Sequence, residues 1–171
     1  MTGSNTLLSC ITLIGMPGVG KSTLGVILAK ALAKDFVDTD ILIQQQSGQT
    51  LQAILDAQGY QALRALEESV VLAADFSTEV IATGGSVVYS PRVMAKLKSV
   101  SVVVYLENTL ETLEQRVAMA PNRGIASPAG QSFAEIYEER TALYQQYADI
   151  VLPCDGLTAE QGLASFLAKL T

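Results

Sequence analysis

The run Leu8 to Ile14 is apolar except for Ser9 and Thr12, and a block of that length and character reads as a strand buried in a parallel sheet. A Gly/Pro-containing loop follows, then a helical pattern from Lys21 to about Ala33. The short segment Phe36-Val37-Asp38 leads into Asp38-Thr39-Asp40, and a helix is predicted from Ile41. Gly48 interrupts that helix, Thr50 caps a second short one running to Leu55, and a longer helix spans Tyr60 to Ala74. Glu79 to Ala82 is a short strand ending in Thr83-Gly84-Gly85-Ser86. Ser90-Pro91 supplies a cap and a first-turn proline for the next helix.

Val100 to Leu106 is almost wholly apolar, as a central parallel strand should be, and a helix follows from about Thr109 to Met119. Residues 120–131 hold two prolines and two glycines and read as a mobile loop. Ser132-Phe133-Ala134-Glu135 is a capping box for a helix reaching Tyr147, Ile150 to Leu152 makes the last strand, and Thr158 caps the terminal helix. Five strands separated by helices imply a single three-layer α/β domain over residues 1–171, with a five-stranded parallel sheet. Ligands then gather beyond the C-terminal ends of the strands.

Composition narrows the function classes. The chain is 49% hydrophobic and 16% charged, with net charge −6 and no window rich in Lys or Arg. Such a surface repels duplex nucleic acid and suits a small anionic ligand met by a few placed cations. The apolar stretches fall short of membrane-spanning length and no basic n-region precedes them, so a cytoplasmic location, no membrane partner and a monomeric chain are expected. Cys10 and Cys154 form no metal or redox motif, and Cys10 is expected as a buried thiol. With no His, the usual neutral-pH base and the best zinc ligand are missing.

The chemistry is concentrated in Gly15-Met16-Pro17-Gly18-Val19-Gly20-Lys21-Ser22-Thr23, between the first strand and its helix. Glycines let successive N–H groups turn inward around phosphate, the helix N-terminus adds partial positive charge, Lys21 reaches the β- and γ-phosphates, and Ser22 ligates Mg²⁺. An ordinary Gly/Pro turn is the alternative, disfavoured by a full match between strand and helix. Asp38 and Asp40 lie two apart in a strand-end segment, where one can face Mg²⁺ and the other a neighbouring pocket; helix capping is their other reading. Gly84-Gly85 permits close approach of a ligand, or only a tight turn. Of five arginines, Arg64 has Glu67 at i+3 and reads equally as half of a surface ion pair.

Taken together these segments resemble the shikimate kinase family, small P-loop kinases related to nucleoside monophosphate kinases. The resemblance runs over essentially the whole chain and rests on GMPGVGKST, Asp-Thr-Asp at 38–40, LRALE at 63–67, TGGS at 83–86 and ERTALYQQYAD at 139–149. It implies a P-loop kinase fold with a substrate-binding helical region at about 40–74 and a mobile lid at about 120–131. It also implies ATP and Mg²⁺, with transfer of the γ-phosphoryl to the 3-hydroxyl of shikimate. By resemblance Asp38 serves Mg²⁺ and Asp40 binds the acceptor and takes part in catalysis with Lys21 and Arg123. Arg64, Gly84, Gly85 and Arg140 bind the acceptor, and Arg116 borders the adenine.

The chain departs from the family at Ser86 for a third glycine, Gly124-Ile125 for Pro-Leu in the lid, Leu63 for Phe, and Ala159 for a proline near the adenine. Ser86 is expected to narrow the acceptor pocket or alter its hydrogen bonds. A kinase for another hydroxy acid such as gluconate, and a nucleotide-binding regulatory relative without transfer activity, remain open alternatives.

Overall fold

β1 (Cys10–Ile14) lies at the centre of the sheet with all five residues buried, which is why its sequence shows no polar alternation. The computed structural model describes residues 9–120 and 124–170, so Leu8, at the expected start of this strand, lies outside the described residues. β1 pairs in parallel with β3 (Val80–Ala82) on one side and β4 (Ser101–Glu107) on the other. β2 (Phe36–Asp38) flanks β3 and β5 (Ile150–Pro153) flanks β4, giving the order β2-β3-β1-β4-β5, all parallel. The expected five-stranded parallel α/β sheet is therefore present.

Two polar residues inside strands satisfy one another. Thr12 and Ser101 share a buried hydrogen bond of 2.7 Å, and Ser101 Oγ also lies 2.6 Å from the Leu97 carbonyl. A hydroxyl in the middle of an apolar block is tolerated on that condition.

The helices are α1 (Lys21–Leu32), α2 (Thr39–Ser47), α3 (Leu51–Ala73), α4 (Pro91–Val100), α5 (Leu110–Ala118), α6 (Phe133–Tyr147) and α7 (Ala159–Lys169). Thr50, Ser90, Ser132 and Thr158 cap them as expected, Ser132 and Thr158 in reciprocal capping boxes. α1 settles close to β2 because Gly25 has no side chain; a Cβ there would fall 2.6 Å from the Phe36 ring.

Three local expectations are corrected. α2 begins at Thr39 rather than Ile41, because Asp38 caps it through the Asp40 N–H. The helices expected at Thr50–Leu55 and Tyr60–Ala74 meet without a linker in α3, kinked where Gly59 takes φ 85°. A single 3₁₀ turn, Val87–Tyr89, follows the glycine pair and had no sequence signal strong enough to place it.

The main core runs through β1, β3 and β4, while Ile43, Ile54, Leu63, Val70 and Ala126 make a smaller cluster under α2 and α3. Among the described residues no helix is long and apolar enough to cross a membrane. Leu13 is fully buried on the central strand. Leu13→Ala should lower unfolding free energy by about 2–5 kcal/mol, read as a fall in the urea midpoint; a change within error would remove β1 from the centre of the core.

Candidate active site

The loop after β1 bends through three glycines at positive φ: Gly15 at 149°, Gly18 at 84° and Gly20 at 101°. Gly15 also faces the Leu106 carbonyl so closely that a Cβ would stand 2.8 Å from it. Gly20 stands at the N-cap of α1 and offers no side chain to cap it, leaving the helix N-terminus open toward the loop. Lys21 is nearly buried and donates to the carbonyls of Gly15 at 2.6 Å and Met16 at 2.9 Å, so its ammonium crosses the loop's concave side. Backbone cradle, helix end and buried cation together form an anion site.

β2 delivers the acidic groups. Asp38 Oδ1 caps α2, while Oδ2 accepts from the Ser22 hydroxyl at 2.6 Å. Capping and placement beside Ser22 thus coexist in one carboxylate. A hydroxyl and a carboxylate facing a cleft are hard oxygen donors of the kind Mg²⁺ uses alongside phosphate and water. Among the described residues no group of three or more His, Cys, Asp or Glu could hold a metal by itself.

Asp40 stands on the first turn of α2 and faces the end of β3. Gly84 separates it from Glu67, since a Cβ at Gly84 would fall 3.0 Å from Asp40 Oδ1 and 2.2 Å from Glu67 Oε2. Here the glycine is needed for close approach rather than for its own dihedral angles. Gly85 is also confined, since a Cβ there would fall 2.9 Å from Arg140 Nη1 and 3.0 Å from Pro17 Cδ, and Tyr144 donates to its carbonyl. Ser86, expected to narrow the pocket or alter its hydrogen bonds, lines the cavity with a hydrogen bond of its own. Its hydroxyl turns to Glu67 Oε1 at 2.8 Å.

The arginines divide. Arg140 is 1% exposed, lines the cleft, and donates through Nη2 to the Ala126 carbonyl at 2.9 Å. Its buried Nε has no hydrogen-bond partner among the described residues. Arg64 reaches the same carbonyl through Nε at 3.2 Å and Nη2 at 2.8 Å, stacked against Tyr60 and Tyr89. It does not form the surface pair with Glu67, because Glu67 is buried, and it is not among the residues lining the main cleft. Arg116 Nη1 donates to the Gly18 and Val19 carbonyls at 3.2 and 3.3 Å. Arg123 lies outside the described residues. Gly124 rests on Leu51 and Gln52, so the loop from 124 onward crosses to the start of α3.

One cavity of about 860 Å³ joins these parts. Pro17 to Thr23 and Arg116 line one end, Cys154 and Ala159 border that end, and Asp40, Glu67, Gly84, Gly85 and Arg140 line the other. The sequence reading brought most of them together but passed over Glu67 and Cys154, and over Tyr144, which is not in the lining but bonds to the Gly85 carbonyl. Glu67 had a usable signal: it falls on the apolar stripe Leu63, Val70 of α3, where a carboxylate is out of place. Tyr144 and Cys154 had none. Burial raises the Glu67 pKa to about 7, with the Asp40 charge adding to the rise and Ser86, Arg140 and Arg64 opposing it. Burial likewise pushes the Cys154 thiol up to about 11.

Comparison with known proteins agrees with this geometry. A family-level sequence profile described as shikimate kinase matches residues 17–171. Shikimate kinase of Aeromonas salmonicida (strain A449) is 36% identical over 156 residues, spanning 88% of this chain and 90% of its own. Shikimate kinase 2 of Enterobacter sp. (strain 638) is 32% identical over 165 residues, 94% of each chain. The solved shikimate kinase from Acinetobacter baumannii in complex with shikimate superposes with TM-score 0.85 at 28% identity, covering 96% of this chain and 93% of that one.

The raised Glu67 pKa has a sign for stability. The folded protein holds this proton more tightly than the unfolded chain, so stability is greatest below the ordinary carboxylate value near 4.5 and falls as pH rises toward about 7. Glu67→Gln should abolish a pH-dependent loss on the order of 3 kcal/mol, seen by urea unfolding of both proteins from pH 4.5 to 8. Parallel curves would show that Glu67 ionises as an ordinary carboxylate.

Proposed function

This chain belongs to the shikimate kinase family and phosphorylates shikimate, and we propose how its cleft divides the work of taking the γ-phosphoryl group from ATP to the 3-hydroxyl. The reaction is a step of aromatic amino acid biosynthesis. The observation that supports the assignment most directly is the continuous cavity between the phosphate-binding loop and Asp40, Gly84, Gly85 and Arg140.

At the nucleotide end, Gly15 to Thr23 hold the phosphates through backbone N–H groups and the open end of α1. Lys21 exchanges loop carbonyls for the β- and γ-phosphate oxygens, where its charge is worth more as negative charge moves to the leaving group. Pro17 and Val19 shape the loop, and Arg116, already at its mouth, borders the adenine together with Ala159. Ser22 and Asp38 would hold Mg²⁺, which would neutralise phosphate charge.

At the acceptor end, Asp40 orients the hydroxyl and receives its proton. The acceptor oxygen forms a bond to the γ-phosphorus as the bond to the ADP oxygen breaks. Arg140, which lines the cleft, offers its guanidinium to the acceptor carboxylate, a planar match. Arg64 stands behind it and serves the carboxylate by sharing the Ala126 carbonyl with Arg140, with direct contact needing a small movement of that loop. The loop at about 120–131 is the lid, bringing Arg123 to the moving phosphoryl group and excluding water that would hydrolyse ATP. The helical region at about 40–74 is the acceptor-binding part of a single domain. The net charge of −6 supports a monomeric cytoplasmic protein with no nucleic-acid partner.

A gluconate kinase or an inactive relative is not favoured, because the relatives at 32% and 36% identity are shikimate kinases and Lys21, Asp40 and Arg140 all face the shared cavity. ADP release in the presence of ATP and Mg²⁺ should rise well above the ATP-only rate when shikimate is added. Equal rates across a range of shikimate concentrations, with a response to gluconate instead, would overturn the acceptor. Lys21→Ala should lower kcat by about 10²–10³-fold; unchanged turnover at saturating ATP would sink the role given to Lys21.

A further inference from the structure

Ser86 sits in an ordinary right-handed conformation, φ −92° and ψ −1°, so nothing in its backbone calls for glycine. It is 8% exposed, and its hydroxyl is buried against the Glu67 carboxylate. Among the described residues it is the one hydrogen-bond donor to Glu67. The other oxygen, Oε2, packs against Gly84 in the space a side chain would take, with Asp40 Oδ1 at the same spot. Two carboxylates from different helices, α3 and α2, therefore flank one glycine on the wall of the acceptor pocket.

We propose that Ser86 is a positioning residue for the acceptor: through its hydrogen bond it fixes the Glu67 carboxylate beside Asp40, so that the polyhydroxylated face of the substrate meets two carboxylates. The proposal rests on reading this end of the cleft as the acceptor site. A ring bearing several hydroxyls presents several donors, and two fixed acceptors define its orientation better than one. A carboxylate beside another carboxylate needs help to stay anionic. Asp40 on α2 opposes that state, while Arg64 on α3, Arg140 on α6 and the Ser86 hydroxyl ahead of the 3₁₀ turn favour it. Arg64 and Arg140 already share the Ala126 carbonyl. Ser86 supplies a directed bond, which sets where the carboxylate points as well as whether it is charged.

The test combines kinetics with a measurement that needs no turnover. Ser86→Ala should raise the KM for shikimate about five- to tenfold and leave the KM for ATP unchanged. It should also move the acidic limb of the kcat/KM profile for shikimate to higher pH, because loss of the donor makes Glu67 harder to ionise. In a Glu67→Gln background the same substitution should add nothing further. In the ligand-free protein, carboxyl-carbon NMR of Glu67 should show its titration midpoint rising in Ser86→Ala and Ser86→Gly alike. An unchanged midpoint overturns the proposal even if the wild-type protein were to prefer another acceptor. A lowered thermal midpoint with shikimate KM and pH profile intact also overturns it, because the hydroxyl would then only hold the turn.

Discussion

Glu67 is a carboxylate held almost wholly out of water, and the acceptor end of the cleft is arranged around the cost of keeping it there. Charge in such a place persists only with donors and opposite charge close by. Ser86 gives a hydrogen bond, Arg140 and Arg64 give positive charge, and Gly84 gives the space that lets Oε2 reach the pocket wall. These groups come from three places in the sequence: Arg64 from α3, Gly84 and Ser86 from the turn after β3, and Arg140 from α6. Their meeting point is fixed by β3, which carries the chain from the edge of the sheet to Thr83. The Thr83 hydroxyl then donates to the Leu13 carbonyl on β1 at 2.9 Å. The Gly84 N–H donates to Thr39 Oγ1, tying the same turn to the start of α2. The turn bearing Gly84, Gly85 and Ser86 is thus anchored to the phosphate loop's own strand and to the helix that carries Asp40.

This anchoring explains why the two halves of the site were unequally legible in the sequence. The nucleotide half is made by nine consecutive residues whose spacing follows from backbone geometry, so Gly15 to Thr23 announce themselves without tertiary information. Caps behave the same way: Thr50, Ser90, Ser132 and Thr158 act on N–H groups three residues on, and all were readable. The parallel sheet was readable because burial on both faces removes polar alternation from β1 and β4.

Acceptor residues carry no such local signal. Arg64 and Glu67 are three apart on α3, and local helix rules make that a surface pair. Tertiary packing overrides the rule by burying Glu67 and turning Arg64 toward Ala126 and two tyrosine rings. Family resemblance pointed to Arg140 and Asp40, which line the cleft, yet resemblance alone could not show that the Ser86 hydroxyl bonds to a carboxylate. The kink at Gly59 was hidden for a related reason. A positive-φ residue between two helical runs looks like a loop in sequence, and only the packing of Ile54 and Leu63 into one cluster makes the runs continuous.

Ala126 connects these points to the chemistry. Its carbonyl accepts from both Arg64 and Arg140, so residues 124–126 are tied to the same two cations proposed to serve an acceptor carboxylate. A backbone carbonyl carries only a partial charge, whereas a substrate carboxylate carries a full one and can take both guanidinium edges. The arginines therefore gain more from substrate than from the loop they hold. Arg140 Nε is buried and has no hydrogen-bond partner among the described residues, so this guanidinium is not fully satisfied by Ala126. Acceptor binding and the position of residues 124–126 then act on one shared pair of charges. That sharing gives a physical reason for a buried and a half-buried arginine to stand together, where their mutual repulsion would otherwise favour only one.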